Sequence, residues 1–93
     1  MKLPINYREA SWAERKQARE QYIKDQGGVC YYCKSPLKSP PPEGLQRKYV
    51  DVGLFPKGFF SHPLHLHHSH KNGMTIGTVH ARCNAILWQY HGE

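Results

Sequence analysis

The chain has 93 residues, with thirteen Lys and Arg against seven Asp and Glu and a formal charge of +6. That is one small domain with room for only a limited apolar core, and chains of this size often lean on a metal or a disulfide. No apolar run approaches the ~20 residues of a membrane span, and MKLPINYREA lacks a signal-peptide core, so a soluble, cytoplasmic protein with no membrane partner is expected.

In chain order, Ser11-Trp12-Ala13-Glu14 matches a capping box with Ser11 as N-cap and Glu14 at N3. A helix follows over ERKQAREQYIKDQ, and Gly27-Gly28 supplies its stop. Few of its residues are apolar, which predicts a helix resting on the surface of the domain. Arg15 and Arg19 on it are candidate phosphate contacts, although interspersed Glu9, Glu14, Glu20 and Asp25 fit a plain solvated face equally well. VCYYCKSPL predicts a tight knuckle, and SPPPEG a stiff extended loop. RKYVDVGLF alternates weakly, as a short strand or hairpin arm would. PLHLHH then predicts a strand, SHKNG a turn, MTIGTV a second strand and VHARCNAILWQY a helix ending at Gly92.

The charge is unevenly spread. From Val52 to Gly92 there is no carboxylate, and all seven histidines lie in that stretch. A metal site there has to be built from imidazole, thiolate or amide groups, with Asp51 the nearest carboxylate upstream. This speaks against a two-metal carboxylate mechanism. The three cysteines cannot all pair, and Cys30-x-x-Cys33 in this setting suggests metal or redox chemistry. A thioredoxin-like site would need a βαβ context that is missing. Structural zinc takes four tetrahedral ligands, usually as two closely spaced pairs. Cys30 and Cys33 form one pair and His80 and Cys83 the other; His62, His70 and His91 are weaker choices for the fourth position.

Residues His65-Leu66-His67-His68-Ser69-His70 crowd four imidazoles together. Strand alternation puts His65 and His67 on one face and His68 on the other, so the strand has to end or twist before His67 and His68 can serve one phosphate. On the last helix His80, Cys83, Asn84, Leu87 and His91 share a stripe. Asn84 on that stripe is either a satisfied core amide or a group reaching into a site.

Taken together, C-x-x-C, HLHHSHKNG and VHARCN resemble the HNH (His-Me finger) endonucleases, nearest the phage recombination endonuclease VII type, which carries a zinc knuckle beside a ββα-metal motif. The resemblance covers Gly28 to about Tyr90. It implies a small α+β domain, with a basic N-terminal helix over 1–27 and the knuckle plus ββα-metal core over 28–93. It implies His68 as the general base, and His67 and Asn84 as ligands of one catalytic divalent metal. Cys30, Cys33, His80 and Cys83 match the structural zinc site, with His80 standing where the nearest relatives have cysteine. His67 stands where an aspartate is common, which widens the catalytic choice from Mg²⁺ to Mn²⁺, Ni²⁺, Co²⁺ or Zn²⁺. His70, Lys71, Arg82 and Lys57 join Arg15 and Arg19 as expected contacts to DNA, mainly to its phosphate backbone, and the stretch from Lys34 to Pro63, with Arg47, Lys48 and Lys57, as a DNA-contacting insertion. The expected activity is hydrolysis of phosphodiester bonds in duplex DNA with little sequence specificity, by a monomer of phage-like origin acting in the host cytoplasm. The competing expectations are a zinc-containing nucleic-acid-binding module without catalysis, and a metal-buffering protein.

Overall fold

A computed structural model describes residues 1–92; Glu93, the last residue of the expected core span, lies outside the described residues. The elements are α1 (Trp12–Asp25), α2 (Glu43–Gln46), two 3₁₀ turns at Val52–Leu54 and Phe59–Ser61, β1 (Leu64–His68), β2 (Thr75–His80) and α3 (Ala81–His91). The architecture is α+β: an antiparallel β1–β2 pair, α1 and α3 packed on it, and the Cys30–Cys33 knuckle on the outer edge of β2.

The α1 boundaries follow from local chemistry. Ser11 Oγ accepts from the Glu14 amide at 3.1 Å while Glu14 Oε1 accepts from the Ser11 amide at 2.9 Å, which satisfies two of the free N–H groups of the first turn. The helix buries only Ala18 and ends where Gly27 and Gly28 take φ of 69° and 78°. Its cap residue Gln26 then holds β2. The Gln26 side-chain oxygen accepts from the Thr78 amide at 2.9 Å, and its NH₂ donates to the carbonyls of Thr78 and Val29 at 3.0 and 2.8 Å. Thr78 Oγ1 donates to the Arg19 carbonyl at 2.8 Å. Tyr31 of the knuckle donates its own amide to the Thr78 carbonyl at 3.0 Å. This close docking requires Gly77: a Cβ there would lie 2.7 Å from Gln26 Oε1 and 3.1 Å from Tyr31 Cβ.

The β1–β2 ladder pairs Leu64 with His80, His65 with Val79, Leu66 with Thr78 and His67 with Gly77, then jumps to His68 opposite Thr75. The shift between His67 and His68 leaves Ile76 of β2 out of the pairing, a bulge next to the turn. Ser69, Asn72 and Gly73 close the turn: Asn72 Oδ1 accepts from the Met74 amide at 2.9 Å, and Gly73 has φ of 76°.

An unexpected element is the N-terminal segment. Thr75 donates its amide to the Ile5 carbonyl at 2.9 Å and Tyr7 donates to the Gly73 carbonyl at 2.8 Å, so residues 5–7 lie along the start of β2. Three other expectations are corrected. RKYVDVGLF forms no strand; Asp51 accepts from the Gly53 amide at 3.0 Å and bends the chain into the first 3₁₀ turn, a local bond that competes with extension. The proline-rich loop does not stay extended to Gly44, because Glu43–Gln46 form the one turn of α2. Val79 and His80 belong to β2, with His80 as N-cap of α3, so the final helix begins two residues later than its pattern implies.

The core is small and is centred on the knuckle: Cys30, Val79 and Cys83 are fully buried, with Leu37 and Leu87 nearly so, and Ile23 and Leu64 pack against them. No helix among the described residues is long and apolar enough to cross a membrane.

Candidate metal centre and histidine cavity

The core has cysteines at its centre because they converge. The Sγ atoms of Cys30, Cys33 and Cys83 and a ring nitrogen of His80 lie within 4.8 Å of one another. His80 Nδ1 is 3.4 Å from Cys33 Sγ and 3.6 Å from Cys83 Sγ. Donors bound to one tetrahedral zinc through bonds of about 2.0–2.3 Å sit about 3.5–3.8 Å apart, so the spacing fits. The imidazole is also in the right tautomer. Its Nε2 faces the carbonyls of Ser39 at 2.8 Å and Pro36 at 3.1 Å; a carbonyl only accepts, so Nε2 carries the hydrogen and Nδ1 keeps its lone pair for a metal.

The knuckle backbone supports the site. The Lys34 amide reaches the Cys30 carbonyl at 3.0 Å, helped by a left-handed Lys34 at φ 63°. A hydrogen bond from Cys83 pulls the Cys30 thiol well below the ordinary range against the effect of burial, and backbone amides of Cys33, His80 and Tyr32 add to it; Cys83 is pushed up in turn. These four residues are positioned to bind a metal, and His80 takes the fourth place ahead of His62, His70 and His91. Asp51 stands apart, engaged with Gly53 and Gln89.

On the far side of β1 lies a cavity of about 740 Å³. His65, His67, His68, His70 and Asn84 all line it, with Arg15, Arg19 and Lys57, and among the described residues no Asp or Glu does. His67 is buried, 2% exposed. Asn84 is not merely a neighbour of His67. Its NH₂ donates to His65 Nδ1 at 3.1 Å, and His65 Nε2 donates to the Phe59 carbonyl at 2.8 Å. Burial lowers the His65 pKa, with the charge of nearby His62 and Arg19 contributing. His65 is therefore a neutral ring held at both nitrogens, and it fixes the carboxamide of Asn84. The helix stripe also splits: Cys83 and Leu87 face the knuckle, Asn84 faces the cavity, and His91 is exposed beside Tyr32.

His68 stacks face to face on Tyr7, with ring centroids 4.0 Å apart and planes 5° off parallel. The Arg15 guanidinium lies 4.0 Å above the Tyr7 ring and its Nε donates to the Tyr7 carbonyl at 2.8 Å. His70 meets His68 edge-on at 5.0 Å. Burial pushes the His68 imidazole down to about 4, and the positive charges of His70, His67, Arg8 and Arg15 push the same way. His68 is consequently neutral at pH 7. Tyr7 is a site residue that the sequence pattern did not single out; the sole local hint was an aromatic residue in a segment with no other assigned role.

The expected DNA contacts divide. Arg15, Arg19, Lys57 and His70 line the cavity, while Lys71 is exposed in the turn beside it. Arg82 is engaged elsewhere: its Nε donates to the Leu45 carbonyl at 2.9 Å and its terminal nitrogen to the Lys48 carbonyl, which ties α3 to the end of α2. In the 34–63 stretch Arg47 pairs with Glu43 and the Lys48 ammonium lies 4.4 Å from the Tyr90 ring centre, so Lys57 alone of the three faces the cavity. Comparison with protein-family models, with curated proteins and with solved structures found no match to this chain.

Proposed function

We propose that the chain is a metal-dependent DNA endonuclease of the HNH type that hydrolyses phosphodiester bonds with little sequence specificity, built around a structural zinc on Cys30, Cys33, His80 and Cys83. The observation that carries the reading is that His67, His68 and Asn84 line one cavity where, among the described residues, no carboxylate intrudes and the cations Arg15, Arg19 and Lys57 have no carboxylate partner; the one ion pair among those residues is Arg47–Glu43. The order β1, tight turn, β2 and α3 beside a knuckle is compatible with a ββα-metal motif.

In this reading His68, neutral and stacked on Tyr7, takes the proton of the attacking water. Arg15, Arg19 and Lys57 draw the phosphate into the cavity. His67 and Asn84 would hold a divalent cation, whose chemistry is neutralisation of charge at the reacting phosphate; His65 keeps the Asn84 carboxamide turned for that task. Products with 5′-phosphate and 3′-hydroxyl ends are expected.

A second reading, a zinc-containing nucleic-acid-binding module without catalysis, is favoured by the metal cluster itself, which serves either purpose. Incubation of the zinc-loaded chain with supercoiled plasmid across Mg²⁺, Mn²⁺, Ni²⁺, Co²⁺ and Zn²⁺ separates the two. Nicked or linear DNA with one of these ions supports the nuclease; intact plasmid with all of them leaves the binding module.

A further inference from the structure

The cavity is also aromatic to a degree that hydrolysis does not require. Phe55 sits 4.8 Å from Phe59 and 5.5 Å from Trp88, ring centre to ring centre, and Phe59 meets the His65 ring at 4.5 Å. A small loop core accounts for Phe55 and Phe59, which are half-buried. It does not account for the tryptophans. The chain has two, both line this cavity, and they are 77% (Trp12) and 42% (Trp88) exposed. Large exposed rings gathered at one concave site mark a ligand with flat apolar faces.

The charges define the rest of that ligand. Arg15, Arg19 and Lys57 share the cavity with these rings; among the described residues no acidic side chain lines it, and none of the three cations pairs with a carboxylate. Cations beside flat aromatic surfaces suit a polyanion that carries rings, and a cavity of about 740 Å³ has the size of a pocket for one nucleotide-sized group. Inside a duplex the faces of a base are covered by its neighbours, so only an unpaired base reaches an aromatic wall of this kind.

We propose that the cavity selects unpaired DNA, stacking a base against Trp12 while Arg15, Arg19 and Lys57 hold the adjoining phosphates. The proposal rests on the reading of this cavity as the nuclease site, and it narrows the substrate to single-stranded or locally opened DNA. Trp12 and Trp88, as the sole tryptophans, make stacking directly visible in the emission of the protein.

The test uses the zinc-loaded chain with no other divalent metal, titrated with an oligothymidylate of about a dozen nucleotides and with the same strand paired to its complement. The single strand should quench tryptophan emission and bind about tenfold tighter than the duplex at equal salt. Trp12→Ala should lose about fivefold or more of the single-strand affinity, as removal of one stacking ring does, and Trp12→Phe should recover most of it. Trp12 is a surface residue at the start of α1, so neither variant should disturb the fold, and zinc content checks this. Equal affinity for the two forms, or parent-like binding by Trp12→Ala, overturns the proposal. Cleavage is scored separately, on supercoiled plasmid and on the single strand, with each divalent ion added. A Trp12-dependent preference for single strands without cleavage removes the nuclease reading and keeps the stacking site; cleavage without the preference keeps the nuclease and removes the stacking site.

Discussion

Tyr7 covers one face of the His68 imidazole, ring on ring at 4.0 Å, although the two residues are separated by most of the chain. The contact exists because the N-terminal segment is hydrogen-bonded along the start of β2, which brings Tyr7 beside the end of β1 where His68 lies. A base stacked on one side keeps a single orientation toward its water, and misplacement by about 1 Å can cost about a hundredfold in rate. Tyr7→Ala should therefore slow plasmid cleavage by about ten- to a hundredfold, while Tyr7→Phe, which keeps the ring, should stay within about threefold of the parent. A role in folding alone would lower the melting temperature of Tyr7→Ala without this selective rescue of rate by Tyr7→Phe.

The histidines should separate by task. His68→Ala should lose cleavage by about a hundredfold or more while keeping zinc and DNA affinity, because it removes proton transfer and leaves the knuckle intact. His67→Ala should fail through weak binding of the added metal, and His67→Asp should recover activity with a shift toward Mg²⁺, since carboxylate oxygen suits harder ions. His65→Ala should also impair cleavage, because Asn84 loses the acceptor that holds its carboxamide. Rates for the four variants, each titrated with Mg²⁺, Mn²⁺ and Ni²⁺, test the assignment; near-parent cleavage by His68→Ala would remove His68 as the base.

Metal and fold should be lost together. The donor set is the centre of the buried core, and structural zinc supplies about 10 kcal/mol or more to small domains of this kind. Protein purified without added metal should carry about one zinc per chain. Cys33→Ser should lose that zinc and its cooperative thermal transition. A zinc-free Cys33→Ser chain that still melts cooperatively would show that the apolar core suffices.

Acid should destabilise the chain through the cavity as well as through the knuckle. Both His65 and His68 have folded-state pKa values below the ordinary value of about 6.5, His68 at about 4. Protonation then favours the unfolded chain, so their contribution is present above about pH 6.5 and is lost as pH falls from there toward 4. His68 is partly open to solvent, which reduces its share. Melting temperatures at pH 7.5 and 5.5 should drop less for His68→Gln than for the parent, both carrying the same zinc site. An equal drop would place the acid sensitivity elsewhere.

Arg82 should behave as a brace. Its two hydrogen bonds to the Leu45 and Lys48 carbonyls hold the α2 turn against α3, and a charged donor of this kind is worth about 1.5–3 kcal/mol. Arg82→Ala should lower thermal stability more than DNA affinity, whereas Arg19→Ala should do the reverse and flatten the salt dependence of binding.

What the sequence by itself determined lies within a turn or two of chain. Ser11 and Glu14 cap α1 through contacts three residues apart, and Gly27-Gly28 end it. Each half of the metal site, Cys30 with Cys33 and His80 with Cys83, is a short-range pair whose spacing survives almost any packing. The run of histidines from His65 to His70 marked the end of β1 and its turn, and the ladder carries a register shift there. The spacing also put His80 ahead of His62, His70 and His91 as the fourth donor; only the tertiary structure decided how it is held, with β2 bringing it beside the knuckle and the Pro36 and Ser39 carbonyls choosing its tautomer. The same holds for Tyr7 over His68, for His65 beneath Asn84, and for Arg82 spent on backbone carbonyls. Each of these joins residues far apart in the chain through packing geometry, which leaves no periodic or local mark in the order of the amino acids.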